Sequence, residues 1–63
     1  MQVSIITINY NSSIYTIELV RSILEKINPA IKYEVIITDN ASEDHDYKNL
    51  ISKLPNDKKI RIF

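Results

Sequence analysis

Apolar positions fall into five blocks, and their spacing changes from block to block. Residues 3–8, Val3-Ser4-Ile5-Ile6-Thr7-Ile8, are nearly continuous and mostly β-branched. That is the pattern of a parallel strand covered on both faces. Asn9-Tyr10-Asn11-Ser12-Ser13 breaks the run, and Ser12 or Ser13 is a good N-cap. From 14 to 27 the period becomes helical: Ile14, Ile17, Val20, Ile23 or Leu24, and Ile27 make one apolar stripe. Glu18, Arg21, Glu25 and Lys26 lie largely off it. Glu18 and Arg21 can pair at i,i+3, and Lys26 suits the C-terminal end of the dipole. Asn28-Pro29 stops the helix, because the residue before proline avoids the α region.

Residues 33–38 predict a second strand, ending abruptly at Asp39-Asn40-Ala41-Ser42. Ser42 is then the expected cap of a second helix over 43–54. Glu43, Asp44 and Asp46 place negative charge in its first turn. Its apolar stripe is Tyr47, Leu50, Ile51 and Leu54, and Pro55-Asn56-Asp57 ends it. Residues 59–63 alternate as a third strand.

The order β-α-β-α-β places the chain in the α/β class. Strands joined by helical crossovers lie parallel, and the crossovers are right-handed. Two crossovers in one direction give a three-stranded sheet in the order 3-2-1, with both helices on one face. The other face is then bare, and the first strand is an open edge. Residues 1–63 read as one half-domain, the first half of a larger Rossmann-like domain.

Composition narrows the chemistry. In so short a chain, burial and chain entropy nearly cancel, so help is expected from a partner copy or from further sequence. With no cysteine there is neither a disulfide nor a cysteine-based zinc site. With no glycine, phosphate loops and dinucleotide fingerprints are excluded, and Asn11, Asn28-Pro29, Asn40 and Pro55-Asn56 must make the turns. Eight basic residues balance eight acidic ones, which argues against nucleic acid and anionic membranes as partners. No apolar run approaches a membrane span, and no signal peptide is visible. A cytoplasmic location is expected.

Asp39-Asn40-x-Ser42 is the strongest site candidate, because open parallel sheets present ligand-binding groups at strand C-termini. It has a second reading, as a helix N-cap box. Asn9-Tyr10-Asn11 ends the neighbouring strand, where a tyrosine could stack on a flat ring or the stretch could simply be turn chemistry. Tyr15 and Arg21 belong to a solvated or packed helix face. His45 among Glu43, Asp44 and Asp46 reads as dipole-compensating charge rather than a metal site. Lys58, Lys59 and Arg61 read as a solvated strand edge.

The two blocks together, Val3-Ser4-Ile5-Ile6-Thr7-Ile8-Asn9-Tyr10-Asn11 and Tyr33-Glu34-Val35-Ile36-Ile37-Thr38-Asp39-Asn40-Ala41-Ser42-Glu43-Asp44, resemble the start of the family 2 glycosyltransferases, which have the GT-A fold. The resemblance implies a nucleotide-diphospho-sugar donor as partner. It implies that Ile8 and Tyr10 edge the base and ribose, and that Asp39 hydrogen-bonds the base. Asn9 and Asn40 complete the nucleotide-binding set. The family's Asp-x-Asp motif holds the ribose and a divalent metal on the diphosphate, and it follows a fourth strand. The resemblance therefore implies Mg2+ or Mn2+ for a complete enzyme, but no cofactor, metal ligand or catalytic residue within these residues, and no transfer by them alone. His45 stands where many members have glycine. The alternative from another class is a non-catalytic α/β module that self-associates as a homo-oligomer through the exposed first strand.

Overall fold

Each β-branched run forms a strand, and each helical period forms a helix. The computed structural model describes residues 2–63. Its elements are β1 (Gln2–Asn9), α1 (Ser13–Lys26), β2 (Lys32–Asp39), α2 (Asp44–Lys53) and β3 (Ile60–Ile62). The strands make one sheet in which β2 lies between β1 and β3, and both pairings are parallel. The register sets Val3 beside Tyr33, Ile5 beside Val35 and Asn9 beside Asp39. The tips of β1 and β2 are therefore level.

Alternation along β2 sorts its side chains. Tyr33, Val35 and Ile37 are buried on one face, against Ile17 and Val20 of α1 and Leu50 of α2. Both helices thus cover the same face. Ile5, Ile23, Leu24, Ile27, Leu54, Ile60 and Ile62 pack around this centre. The opposite face carries Ile6 and Ile8, which are 67% and 65% exposed. It also carries Glu34, which accepts hydrogen bonds from Gln2 and Ser4 and faces Arg61 at 4.0 Å. The continuous apolar run of residues 3–8 suggested cover on both sides. Among the described residues only one side has it. The accessible surface of 4697 Å² reflects this, since a typical monomer of this mass exposes about 4,200 Å².

The predicted helix stripes need rotation. α1 begins one residue early, and its inward positions are Ser13, Thr16, Ile17 and Val20. Ile14, expected inside, is 64% exposed. In α2 the inward residues are Asp46 and Leu50, and Tyr47 and Ile51 face outward. The cause is the sheet's width: three strands offer each helix only a narrow strip to cover. No helix of the described residues is long and apolar enough to cross a membrane.

The chain ends both helices without glycine. Leu54 turns to extended backbone directly before Pro55, as proline requires of its predecessor, and Ile27 does so one residue ahead of Asn28-Pro29. Two residues take the left-handed conformation, Asn11 (φ 49°) and Ala41 (φ 53°). Asparagine tolerates it through local hydrogen bonding, whereas alanine is strained there by about 1–2 kcal/mol.

Candidate functional site: a polar knot at the strand tips

The last residue of β1, Asn9, is fully buried at 0% exposure. A buried primary amide must satisfy two N–H donors and a carbonyl. Its Nδ2 donates to Asp39 Oδ1 at 3.0 Å, to Asp46 Oδ2 at 3.0 Å and to Ser42 Oγ at 3.1 Å. Its Oδ1 accepts from Thr16 Oγ1 at 2.7 Å and from Ser12 Oγ at 3.4 Å. The tips of β1 and β2 and the first turns of α1 and α2 thus meet on one side chain. The level register makes this possible, because Asn9 and Asp39 emerge side by side on the helix-covered face.

Asp39 is gripped at both oxygens. Ser42 Oγ donates to Oδ1 at 2.6 Å, and the Ser42 N–H donates to Oδ2 at 3.2 Å. The Ser42 hydroxyl also accepts the Asn11 N–H at 3.0 Å. This corrects the expectation that Ser42 caps the second helix. The N-cap position of α2 is Glu43, whose side chain makes no capping bond. Capping would need the Ser42 oxygen as the acceptor of a helix N–H. Ser42's lone pairs are meanwhile taken by Asn9 and Asn11.

Capping is instead exchanged between the two helices. Ser12 sits at the N-cap of α1 and makes no side-chain cap. Asp46, from α2, accepts the Ser13 N–H at 3.0 Å. In return Asn11, from the loop before α1, accepts the Glu43 N–H at 2.8 Å. Asn49 Nδ2 adds a bond to Ser13 Oγ at 2.8 Å.

These bonds set the charge state. The Ser42 hydroxyl, with the Asn9 amide behind it, holds the Asp39 carboxyl below the usual carboxylate range, against burial and the neighbouring Asp46. Burial pushes the Asp46 carboxyl up. Hydrogen bonds from Asn9 and Ser13, with nearby His45, more than offset it, and this carboxyl also lies below the usual range. Both are ionised at neutral pH and act only as acceptors.

The residues singled out in the sequence are not all alike in placement. Asn9, Asp39 and Asn40 come together, and the Asn40 N–H donates to the Asn9 carbonyl at 2.8 Å. Asn9 has no surface to offer a ligand, because its side chain is spent inside the knot. Asp39 is half-buried and Asn40 exposed at the tip. Tyr10 lies just past the end of β1 and is 60% exposed. Ile8 points to the opposite, uncovered face of the sheet. The sequence reading missed Ser13, Thr16, Asp46 and Asn49. A signal existed: Ser13 and Thr16 share the helical face of Ile17 and Val20, and Asp46 shares that of Leu50, so each interrupts a buried stripe.

Beside the knot a cleft of about 400 Å³ opens between the first turns of the helices, walled by Asn11, Ser13, Tyr15, His45, Asp46 and Asn49. Residues 44–46 spell Asp-His-Asp, but this is not a metal-holding pair, because the Asp46 oxygens are engaged by Asn9 and Ser13. Among the described residues no three His, Cys, Asp or Glu side chains gather as a metal would need.

A family model described as glycosyl transferase family 2 matches residues 4–63. No curated protein matches the chain, and no solved structure does.

Proposed function

The chain belongs to the glycosyl transferase family 2, and from that premise we propose that its strand tips form the base and ribose side of a site for a nucleotide-diphospho-sugar donor. The observation that carries this reading is the Asp39 carboxylate. It is ionised, gripped on its inner side and half-exposed at the C-terminal edge of a parallel sheet, where such sheets take up ligands. An oriented acceptor of this kind suits an N–H on the edge of a base. Tyr10, exposed at the adjacent tip, offers a ring to stack on or edge the base. Asn40 completes the turn, and Ile8 lies at the same strand end on the opposite face of the sheet. Asn9 shapes the site from beneath. Residues 1–63 act as one half-domain in this reading. They bind the nucleotide weakly and transfer no sugar alone, the metal and the diphosphate being held by other residues.

The test is a titration of the isotopically labelled chain with millimolar uridine diphosphate, followed residue by residue in NMR spectra. Shifts confined to Tyr10, Asp39 and Asn40, and lost in Asp39→Asn, support the reading. Unmoved signals at all three positions sink it.

A second reading rests on a different observation, the open β1 edge beside the exposed Ile6 and Ile8. An edge strand with apolar neighbours is a template for pairing with another chain, and self-association through β1 would hide it. Sedimentation showing a clean monomer at high concentration removes this reading without touching the first.

A further inference from the structure

Thr16 and Asn9 together decide which way the strand-tip carboxylate is held. A primary amide can present either its N–H groups or its oxygen to a neighbour. Here Thr16 Oγ1, on the first turns of α1, lies 2.7 Å from Asn9 Oδ1 and donates to it. That bond turns the amide's N–H groups the other way, onto Asp39 Oδ1 and Asp46 Oδ2. Two carboxylates on the far side accept only, so they receive the N–H groups that the Thr16 bond turns toward them. Asn9 and Thr16 are buried, at 0% and 4% exposure, so bulk solvent does not compete for these bonds. Ser42 closes the remaining side of Asp39 Oδ1 at 2.6 Å.

We infer that Asn9 is a positioning residue for Asp39, and that Thr16 sets the sense in which the Asn9 amide points. Neither touches the ligand. Both fix the direction of the acceptor that a nucleobase N–H would meet, and the inference rests on the reading of Asp39 as the base contact. The charge of Asp39 follows from the same bonds, with Asp46 the other ionised group at the knot. Deleting the amide's grip removes a donor from a carboxylate that has a like charge nearby.

The experiment follows the Asp39 side-chain carboxyl 13C signal against pH in the wild-type chain, Asn9→Ala and Thr16→Val, each with and without uridine diphosphate. In a folded Asn9→Ala chain the Asp39 titration midpoint rises toward the ordinary carboxylate range, and the nucleotide-induced shift at Asp39 weakens several-fold. A folded Asn9→Ala chain with an unchanged midpoint overturns the inference. If Asn9→Ala does not fold, Thr16→Val decides. It keeps the β-branched shape and exchanges the hydroxyl for a methyl that cannot donate, so a raised midpoint supports the inference and an unchanged one overturns it. A wild-type chain that ignores the nucleotide defeats the donor-site reading, while the midpoints still judge the positioning role.

Discussion

Asp46 and Ser13 stand 33 residues apart in sequence, and the carboxylate of one caps the helix of the other at 3.0 Å. α1 therefore owes its first turn to a residue of α2. Asp46→Ala should fray that turn and lower the melting temperature by several degrees. Amide exchange at Ser13 should quicken, while exchange at Val20, deep in the helix, follows only the change in overall stability. Asp46→Asn should fall between the two. It keeps an acceptor for Ser13 but turns an NH2 group toward the Asn9 Nδ2.

Stability should depend on pH in one direction. The Asp39 and Asp46 carboxyls both sit below their ordinary value in the folded chain. The unfolded chain therefore binds more protons on acidification. The contribution is complete above the unfolded carboxylate value, about 4, and is lost as pH falls through the lower folded values. Urea midpoints should be flat from pH 7 to about 5 and should drop below about 4. Ser42→Ala, which removes the largest cause of the Asp39 shift, should make that drop shallower.

Ala41 holds a left-handed backbone, φ 53°, that its Cβ resists. Ala41→Gly should stabilise the chain by roughly 0.5–1 kcal/mol, the released strain exceeding glycine's extra unfolded-state entropy. Ala41→Val should destabilise it. Denaturant titration of the three chains gives the comparison, and an Ala41→Gly chain weaker than wild type would contradict the strain.

The core has little to spare. Leu50 is fully buried at 0% exposure among Ile17, Val20, Tyr33, Val35 and Ile37. Leu50→Ala should cost about 3 kcal/mol. A chain of this length holds on the order of 3–9 kcal/mol in total. Circular dichroism should accordingly show a broad, low melting transition or none. Ile14→Ala, on the outward side of α1, should change stability by less than about 0.5 kcal/mol.

Much of this fold was legible in the order of its residues. Periodicity places five elements within a residue or so of their observed bounds, because the alternation of Tyr33, Val35 and Ile37 and the spacing of Ile17, Val20 and Leu24 follow from backbone geometry alone. The position of Asp39 at a strand tip was legible for the same reason. The bonds at that tip were not. Ser42 looks like a cap because serine before acidic residues usually is one, and only the three-dimensional neighbourhood shows Asp39 accepting from its hydroxyl while Asn9 and Asn11 donate to it. Asp46 looked like helix-end charge, since sequence cannot show that Ser13 of another helix faces it. The exposed Ile14, Tyr47 and Ile51 have a similar cause. A stripe says which residues share a face, and the narrow sheet decides how much of that face is covered.

The bonds of Asn9 to Asp39, Ser42 and Asp46 close sequence gaps of 30, 33 and 37 residues. The bonds to Asp39 and Ser42 need β1 and β2 paired, and the bond to Asp46 needs α2 docked as well, so each waits on contacts distant in sequence. The strand tips therefore have no local folding unit of their own. A small molecule that settles on Asp39 would consequently protect not a loop but every amide in the core that opens by global unfolding, and its affinity could be read from the unfolding free energy of residues it never touches.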